Sequence, residues 1–205
     1  ARAPRYRLSA EMIRDNALST SGLLSQRMGG AGAKPYDLTE SFKPISHDKG
    51  EGLYRRSVYT FWKRTGPAPV MMALDASKRD VCRARRENTA TPLQALVLLN
   101  GPQFVEAART LGEQMVREHG DNVGAMVLDT FRTLTSREPS VRETALLRQL
   151  HDEQLAIFEK DAKATEAFLS VGERRLATGL AKPRIAAAGI LAKALMNFDE
   201  SVVKR

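Results

Sequence analysis

The sequence predicts a mainly α-helical, bundle-like domain with a long irregular loop and arm in its N-terminal half. Three observations predict this class. From residue 91 onward, apolar residues recur every three or four positions, which is the period of an amphipathic helix. Helix-start signals precede several of these segments, and glycine or proline separates most of them. Residues 27–52 are rich in Gly, Pro, Ser and Lys, which is typical of an irregular connection.

The N-terminal half contains one clear helix. Residues 9–24 carry an apolar side, and Ser9 is a suitable N-cap. The irregular segment at 27–52 follows. Residues 53–64 are rich in aromatic and β-branched side chains, so we expect an extended, strand-like arm. Residues 75–87 are polar and could form one or two helical turns.

The helix predicted at 91–99 has an unusual composition. Thr91, Pro92 and Gln94 match a capping box with proline at the first helical position, in which Gln94 would bond back to the Thr91 amide. The ALVLL run that follows has no polar face. We therefore expect this helix to be buried on all sides.

Further helices are predicted to the end of the chain. In 102–118 an apolar stripe lies opposite the charged residues Glu106, Arg109, Glu113 and Arg117, with Glu113 and Arg117 at ion-pair spacing. Residues 122–134 repeat this pattern, and Ser140 with Glu143 forms a capping box for a helix that continues through Phe158. A short segment around residue 168 follows, and the small residues 187–189 predict close packing of a last helix at 183–197.

These elements indicate one helical domain over residues 1–205. Residues 1–90 hold the opening helix and an irregular basic arm, and residues 91–205 hold the helical core. The N-terminus lacks the apolar stretch of a signal peptide, so the chain is either cytosolic or a piece of a longer secreted protein. The start at Ala1 without a methionine favours the second alternative. No apolar run approaches the roughly 20 residues that a membrane-spanning helix needs, so we expect no transmembrane segment.

The positive charge is confined to one region. Residues 1–100 contain 17 Lys or Arg and 9 Asp or Glu, whereas residues 101–205 contain 15 of each. Nine of the basic residues lie between positions 55 and 86, with only Asp75 and Asp80 as acids. This distribution indicates either a binding surface or an internal ion-pair network.

The basic residues are interleaved with aromatic ones, which is the only binding-type pattern in the sequence. Arginine and lysine bind phosphate, sulfate or carboxylate groups, and aromatic faces stack on sugars or bases. The candidate ligand-binding residues are Arg55, Arg56, Trp62, Lys63, Arg64, Arg85 and Arg86. The favoured alternative is structural, with the aromatics in the core and the arginines holding the arm to helix ends.

No catalytic constellation is evident. Asp75, Glu87 and Gln94 are the residues that could line an enzyme cleft, but acids among arginines more often form structural ion pairs. The three histidines lack metal-ligand spacing, and His47 is the one most expected to be exposed and functional. Cys82, the only cysteine, excludes a disulfide framework, a multi-cysteine metal site and attached haem c. We expect Cys82 to be buried or inert.

One long block carries a family resemblance: RRSVYTFWKRTGPAPVMMALDASKRDVCRARRENTATPLQALVLLNGPQFVEAAR. It resembles an uncharacterised domain found C-terminally in large secreted planctomycete proteins. Segments near both ends of the chain resemble that domain too. The resemblance implies an exported protein and preceding domains, often including a cytochrome-c-like haem domain. It therefore implies haem c in a separate domain only, a suspected association with polysaccharide use, and no catalytic residues.

Three functions follow in order of preference. The first is a non-catalytic interaction or scaffold module that contacts the preceding domains and binds anionic polysaccharide through its basic and aromatic surface. The second is part of a polysaccharide-active enzyme whose cleft is shared with a preceding domain. Nucleic-acid binding is the weakest, because the basic arm lacks a recognisable DNA- or RNA-binding signature.

Overall fold

The computed structural model describes residues 6–37, 46–63, 67–78, 82 and 84–204. Helices dominate this part of the chain, which confirms the mainly α fold. Two short 3₁₀ segments (Gly50–Tyr54 and Ser57–Tyr59) occupy the arm, and β1 (Tyr6–Arg7) pairs antiparallel with β2 (Val203–Lys204). The helices are α1 (Ala10–Thr20), α2 (Pro69–Ala73), α3 (Pro92–Asn100), α4 (Pro102–His119), α5 (Val123–Thr135), α6 (Val141–Lys160), α7 (Ala162–Leu169), α8 (Lys182–Met196) and α9 (Asp199–Val202).

The centre of the fold is the crossing of α4 and α8. A Cβ atom built on Gly112 would lie only 2.4 Å from the backbone nitrogen of Gly189. The neighbouring residues of α8, Ala187 and Ala188, are buried. The two backbones therefore approach closely because small residues stand at the crossing point, which confirms the expectation drawn from residues 187–189.

Three members of the charged stripe of α4 lie inside the protein. Glu106, Arg109 and Glu113 are all buried, because α8 packs along α4 while α1, α3, α5 and α7 contact it elsewhere. The expected pair of Glu113 with Arg117 is present at 2.5 Å. Helix α4 is thus a central helix, and its polar side chains bond to other parts of the protein.

The expectation that α3 is buried on all sides is wrong. Leu93 and Leu96 are 57% and 56% exposed, whereas Gln94 and Leu98 are buried. Helix α3 packs on α2, α4 and α8, and these contacts cover only one of its sides. Thr91 caps the helix by accepting a hydrogen bond from the Gln94 amide at 3.4 Å, but the Gln94 side chain does not complete the predicted box.

Over residues 53–63, which the structure describes, the arm forms no strand. Gly50–Tyr54 and Ser57–Tyr59 form the two 3₁₀ segments, and the strand-like contact observed here is an isolated bridge between Ala33 and Thr60. Within the segment 75–87 the structure describes residues 75–78, 82 and 84–87, and none of these is helical.

The predicted capping box of α6 is confirmed. The Ser140 hydroxyl accepts from the Glu143 amide at 3.3 Å, and the Glu143 carboxylate accepts from the Ser140 amide at 2.7 Å. One main apolar core extends from Ala10 in α1 to Val202 in α9. Among the helices described, none combines the length and apolar character needed to cross a membrane.

Candidate functional site

A buried arginine of α1 organises the basic arm. The Arg14 side chain is 1% exposed, and its guanidinium donates hydrogen bonds to three different segments. Nε bonds to Gln103 Oε1 at 2.8 Å, Nη2 to the Leu53 carbonyl at 2.7 Å, and Nη1 to the Arg55 carbonyl at 2.8 Å and Ser57 Oγ at 3.1 Å. Arg14 therefore holds the 3₁₀ segments against α1 and the start of α4.

Asp15 continues this attachment. Its Oδ1 atom accepts from the Ser57 amide at 2.8 Å and from the Ser57 hydroxyl at 2.7 Å, and lies 3.5 Å from Arg14 Nη1. Sequence reasoning missed both residues, because their partners lie about 40 or more positions away. Two adjacent, oppositely charged residues on an otherwise amphipathic helix gave the only signal.

Arg55, a predicted ligand-binding residue, points into the protein. It is 6% exposed, and its guanidinium donates to the carbonyls of Ala31 (2.7 Å) and Gly29. The same guanidinium lies 4.0 Å from the centre of the Tyr59 ring. These contacts hold the 29–31 turn to the arm, so the role that the geometry shows for Arg55 is structural.

Arg56 and Trp62 are half-buried. Arg56 Nη2 bonds to Gln26 Oε1 at 3.3 Å, and Trp62 Nε1 donates to the Lys78 carbonyl at 2.8 Å. The tryptophan also packs against the main core. Both side chains thus connect the arm to neighbouring segments, and ligand binding by them stays a prediction.

The other predicted ligand residues differ in exposure. Arg86 is exposed and forms an ion pair with Glu11 at 3.1 Å, and Arg85 is exposed. Lys63 is half-buried, and Arg64 lies outside the described residues. Among the candidates that the structure describes, Arg85 and Arg86 are therefore the exposed positive charges.

Asp75 is an anchor for the segment before α3. Its Oδ2 atom accepts from the Thr89 amide (2.7 Å), the Thr89 hydroxyl (2.7 Å) and Gln94 Nε2 (2.9 Å). Burial opposes ionisation of the Asp75 carboxyl, but the hydrogen bonds from Thr89 and Gln94 outweigh it and lower its pKa. Asp75 and Glu87 border a cavity of about 130 Å³, whereas the Gln94 side chain is buried.

His47 lies between two carboxylates. Its Nδ1 is 2.8 Å from Asp37 Oδ1, and its Nε2 is 3.7 Å from Glu173 Oε1. The side-chain and backbone hydrogen bonds from His47 lower the pKa of Asp37. His47 is partly exposed, as expected, and these three residues line a cavity of about 190 Å³ whose apolar walls include Leu53 and Phe104.

Glu106 fixes the floor of the His47 cavity. Its Oε1 accepts from the Tyr54 hydroxyl and from the amides of Glu173 and Arg174, each at 2.8 Å. Burial and the hydrogen bond to Glu106 raise the pKa of Tyr54. Gly172 has a φ of +89°, and a Cβ there would lie 2.2 Å from the Glu106 side chain, so this turn requires glycine.

Cys82 is exposed, so the buried alternative of the expectation is wrong, and an inert thiol stays a prediction. Its thiol belongs to the segment that carries the accessible arginines Arg85 and Arg86, and we assign it no function.

A family model described as PSD1, a protein of unknown function (DUF1553), matches residues 1–151. The chain belongs to the PSD1 family. The match confirms the resemblance at the level of an uncharacterised domain family. The PSD1 region includes Arg14, the basic arm and α1 to α5, while residues 152–205 lie beyond it. A search of curated proteins and a search of solved structures found no match.

Proposed function

We propose that this PSD1 domain is a non-catalytic interaction module of an exported multidomain protein, and that the exposed side of α3 contacts a preceding domain. We infer export and the presence of preceding domains from the family resemblance of the central block. The contact surface comes from the fold.

The exposure of α3 is the observation that carries this proposal. The helix consists almost entirely of apolar residues, yet Leu93 and Leu96 are more than half exposed. They lie three residues apart and therefore share one side of the helix. Adjacent exposed leucines are typical of surfaces that bind another protein, and contact with a second domain would remove them from water.

The contacts made by the charged residues of the arm support a structural module. Arg55 is buried and Arg86 is ion-paired, so much of the basic charge serves internal contacts. The Asp75 carboxylate accepts three hydrogen bonds and has a lowered pKa, which suits an anchor better than a general acid. These arrangements favour a scaffold over autonomous catalysis.

Cysteine labelling tests the proposed contact. In a Cys82→Ser background, Leu96→Cys is labelled with a maleimide in the 205-residue chain and in the natural full-length protein. We expect much slower labelling in the full-length protein, because the preceding domain covers α3. Leu146→Cys is the matched control, since Leu146 is also a helical leucine and is also 56% exposed. Its labelling rate should not change.

The enzyme alternative is favoured by one observation, the cavity that Asp75 and Glu87 border together with Lys78 and Arg86. If this cavity and the exposed arginines bind an anionic glycan, a glycan array will detect binding to the 205-residue chain. Arg85→Ala/Arg86→Ala would then abolish that binding. The contact at α3 does not require glycan binding. Cleavage of a bound glycan would favour the enzyme, whereas binding without cleavage would favour the non-catalytic module.

A further inference from the structure

A separate cluster of titratable side chains lies at the turn between α4 and α5. Glu118 and His119 are the last two residues of α4, and Asp129 lies in the second turn of α5. One ring nitrogen of His119 and one carboxylate oxygen from each acid lie within 4.8 Å of one another. We propose that these three side chains bind a divalent transition-metal ion, and that Zn²⁺ is the ion they match best.

The donor set selects the class of ion. An imidazole nitrogen with two carboxylate oxygens suits Zn²⁺ and its first-row neighbours, whereas Ca²⁺ and Mg²⁺ prefer oxygen ligands alone. Three protein ligands leave coordination positions for water. The site is therefore a small, solvent-accessible transition-metal site.

The atoms need little movement to reach one ion. His119 Nε2 and Asp129 Oδ2 are 3.0 Å apart. Ligands of a Zn²⁺ ion at about 2.1 Å are separated by about 3 to 3.5 Å, so an ion that replaces the proton of this hydrogen bond would find the pair at a suitable spacing. Glu118 is exposed, and its flexible side chain can close the remaining distance.

The local charges favour a cation. Two carboxylates so close together repel each other, and a bound cation relieves that repulsion. The C-terminal end of α4 adds the negative end of a helix dipole. Two nearby arginines have other partners, since Arg117 bonds to Glu113 and Arg184 to Asp121.

The ion would join the end of α4 to α5 across the turn at 120–122. Sequence spacing did not reveal the site, because His119 reads as a helix-end histidine and Asp129 comes from the next helix. The ligands meet only because the short turn folds α5 back beside the end of α4.

Zn²⁺ titration in competition with a chromophoric chelator tests this site. The protein is the 205-residue chain with Cys82→Ser, which removes the exposed thiol as a competing ligand. We expect one Zn²⁺ per chain. His119→Ala and Asp129→Asn should each weaken binding at least about tenfold, and Glu118→Gln should weaken it by a smaller factor.

His47→Ala is the matched control, because His47 also lies beside two carboxylates but they face opposite ring nitrogens. It should leave Zn²⁺ binding unchanged. Circular dichroism of each variant establishes that its helices are intact. The proposal is wrong if the parent protein binds no Zn²⁺ at a Zn²⁺ concentration of about 1 mM. It is also wrong if His47→Ala removes Zn²⁺ binding and His119→Ala does not.

Discussion

At the residue scale, single buried polar groups hold the irregular half of the protein in place. Arg14 donates four hydrogen bonds to groups that lie 39 to 89 residues further along the chain. Its guanidinium bonds to the Arg55 carbonyl and to the Leu53 carbonyl, which also accepts from Gln103 Nε2 at 3.3 Å. A buried, unpaired carbonyl is costly, so the arm depends on this side chain.

Replacing Arg14 should therefore destabilise the fold strongly. We expect Arg14→Met to lower the free energy of unfolding by about 3 to 5 kcal/mol, because it removes the donors of several buried acceptors at once. Arg14→Lys keeps the charge but lacks the planar fork of donors, and should also destabilise, by a smaller amount. Urea unfolding measures these changes.

Arg132 provides the control for this experiment. It is an exposed helical arginine of α5, and Arg132→Met should change the unfolding free energy by less than about 0.5 kcal/mol. An equally small effect of Arg14→Met would show that the hydrogen bonds of Arg14 do not organise the arm.

The local features of the site residues were predictable, whereas their orientation was not. The capping box at Ser140 depends on residues three apart, and its sequence signal was sufficient. Arg55 was expected on a surface but is buried, because its acceptors are backbone carbonyls of the 29–31 turn. Backbone acceptors leave no trace in side-chain composition, so sequence reasoning could not locate them.

At the element scale, the crossing of α4 and α8 depends on glycine. Gly112→Ala would place a methyl group 2.4 Å from a backbone nitrogen of α8, and a backbone cannot rotate away as a side chain can. We expect Gly112→Ala to lower the free energy of unfolding by about 1 to 3 kcal/mol, measured by urea unfolding.

Gly124 in α5 is the matched helical glycine. A Cβ there would meet the tip of the Arg148 side chain, which can move. Gly124→Ala should therefore be neutral or stabilise by up to about 1 kcal/mol through helix propensity. If Gly112→Ala were equally neutral, the close approach of α4 and α8 would not be needed for stability.

The elements themselves were largely predictable, because helical periodicity is a local property. The faces of α3 and α4 were not. The apolar composition of α3 predicts that contact with protein would stabilise it, but it does not show whether this domain or another one supplies that contact on each side. The arm was expected to be a strand from its aromatic and β-branched residues; Arg14 and Asp15 instead bond to its backbone and stabilise 3₁₀ turns.

At the scale of the whole molecule, the basic arm is largely structural and the apolar helix α3 is partly exposed, which is the reverse of what the sequence predicted. The arm, which looked like a binding surface, makes many internal contacts through Arg14, Asp15 and Arg55. The helix α3, which looked like the centre of the core, exposes Leu93 and Leu96. We infer that association with another domain depends on these leucines more than on the basic residues.

The maleimide labelling rate of Leu96→Cys, compared between the 205-residue chain and the natural full-length protein, tests this claim most directly. We expect the labelling rate to be at least about tenfold lower in the full-length protein. A tenfold decrease corresponds to a free energy of about 1.4 kcal/mol for the contact that covers position 96. The rate at Leu146→Cys should not change. Equal rates at position 96 in the two proteins, or the same decrease at both positions, would contradict the proposal that α3 is the contact surface.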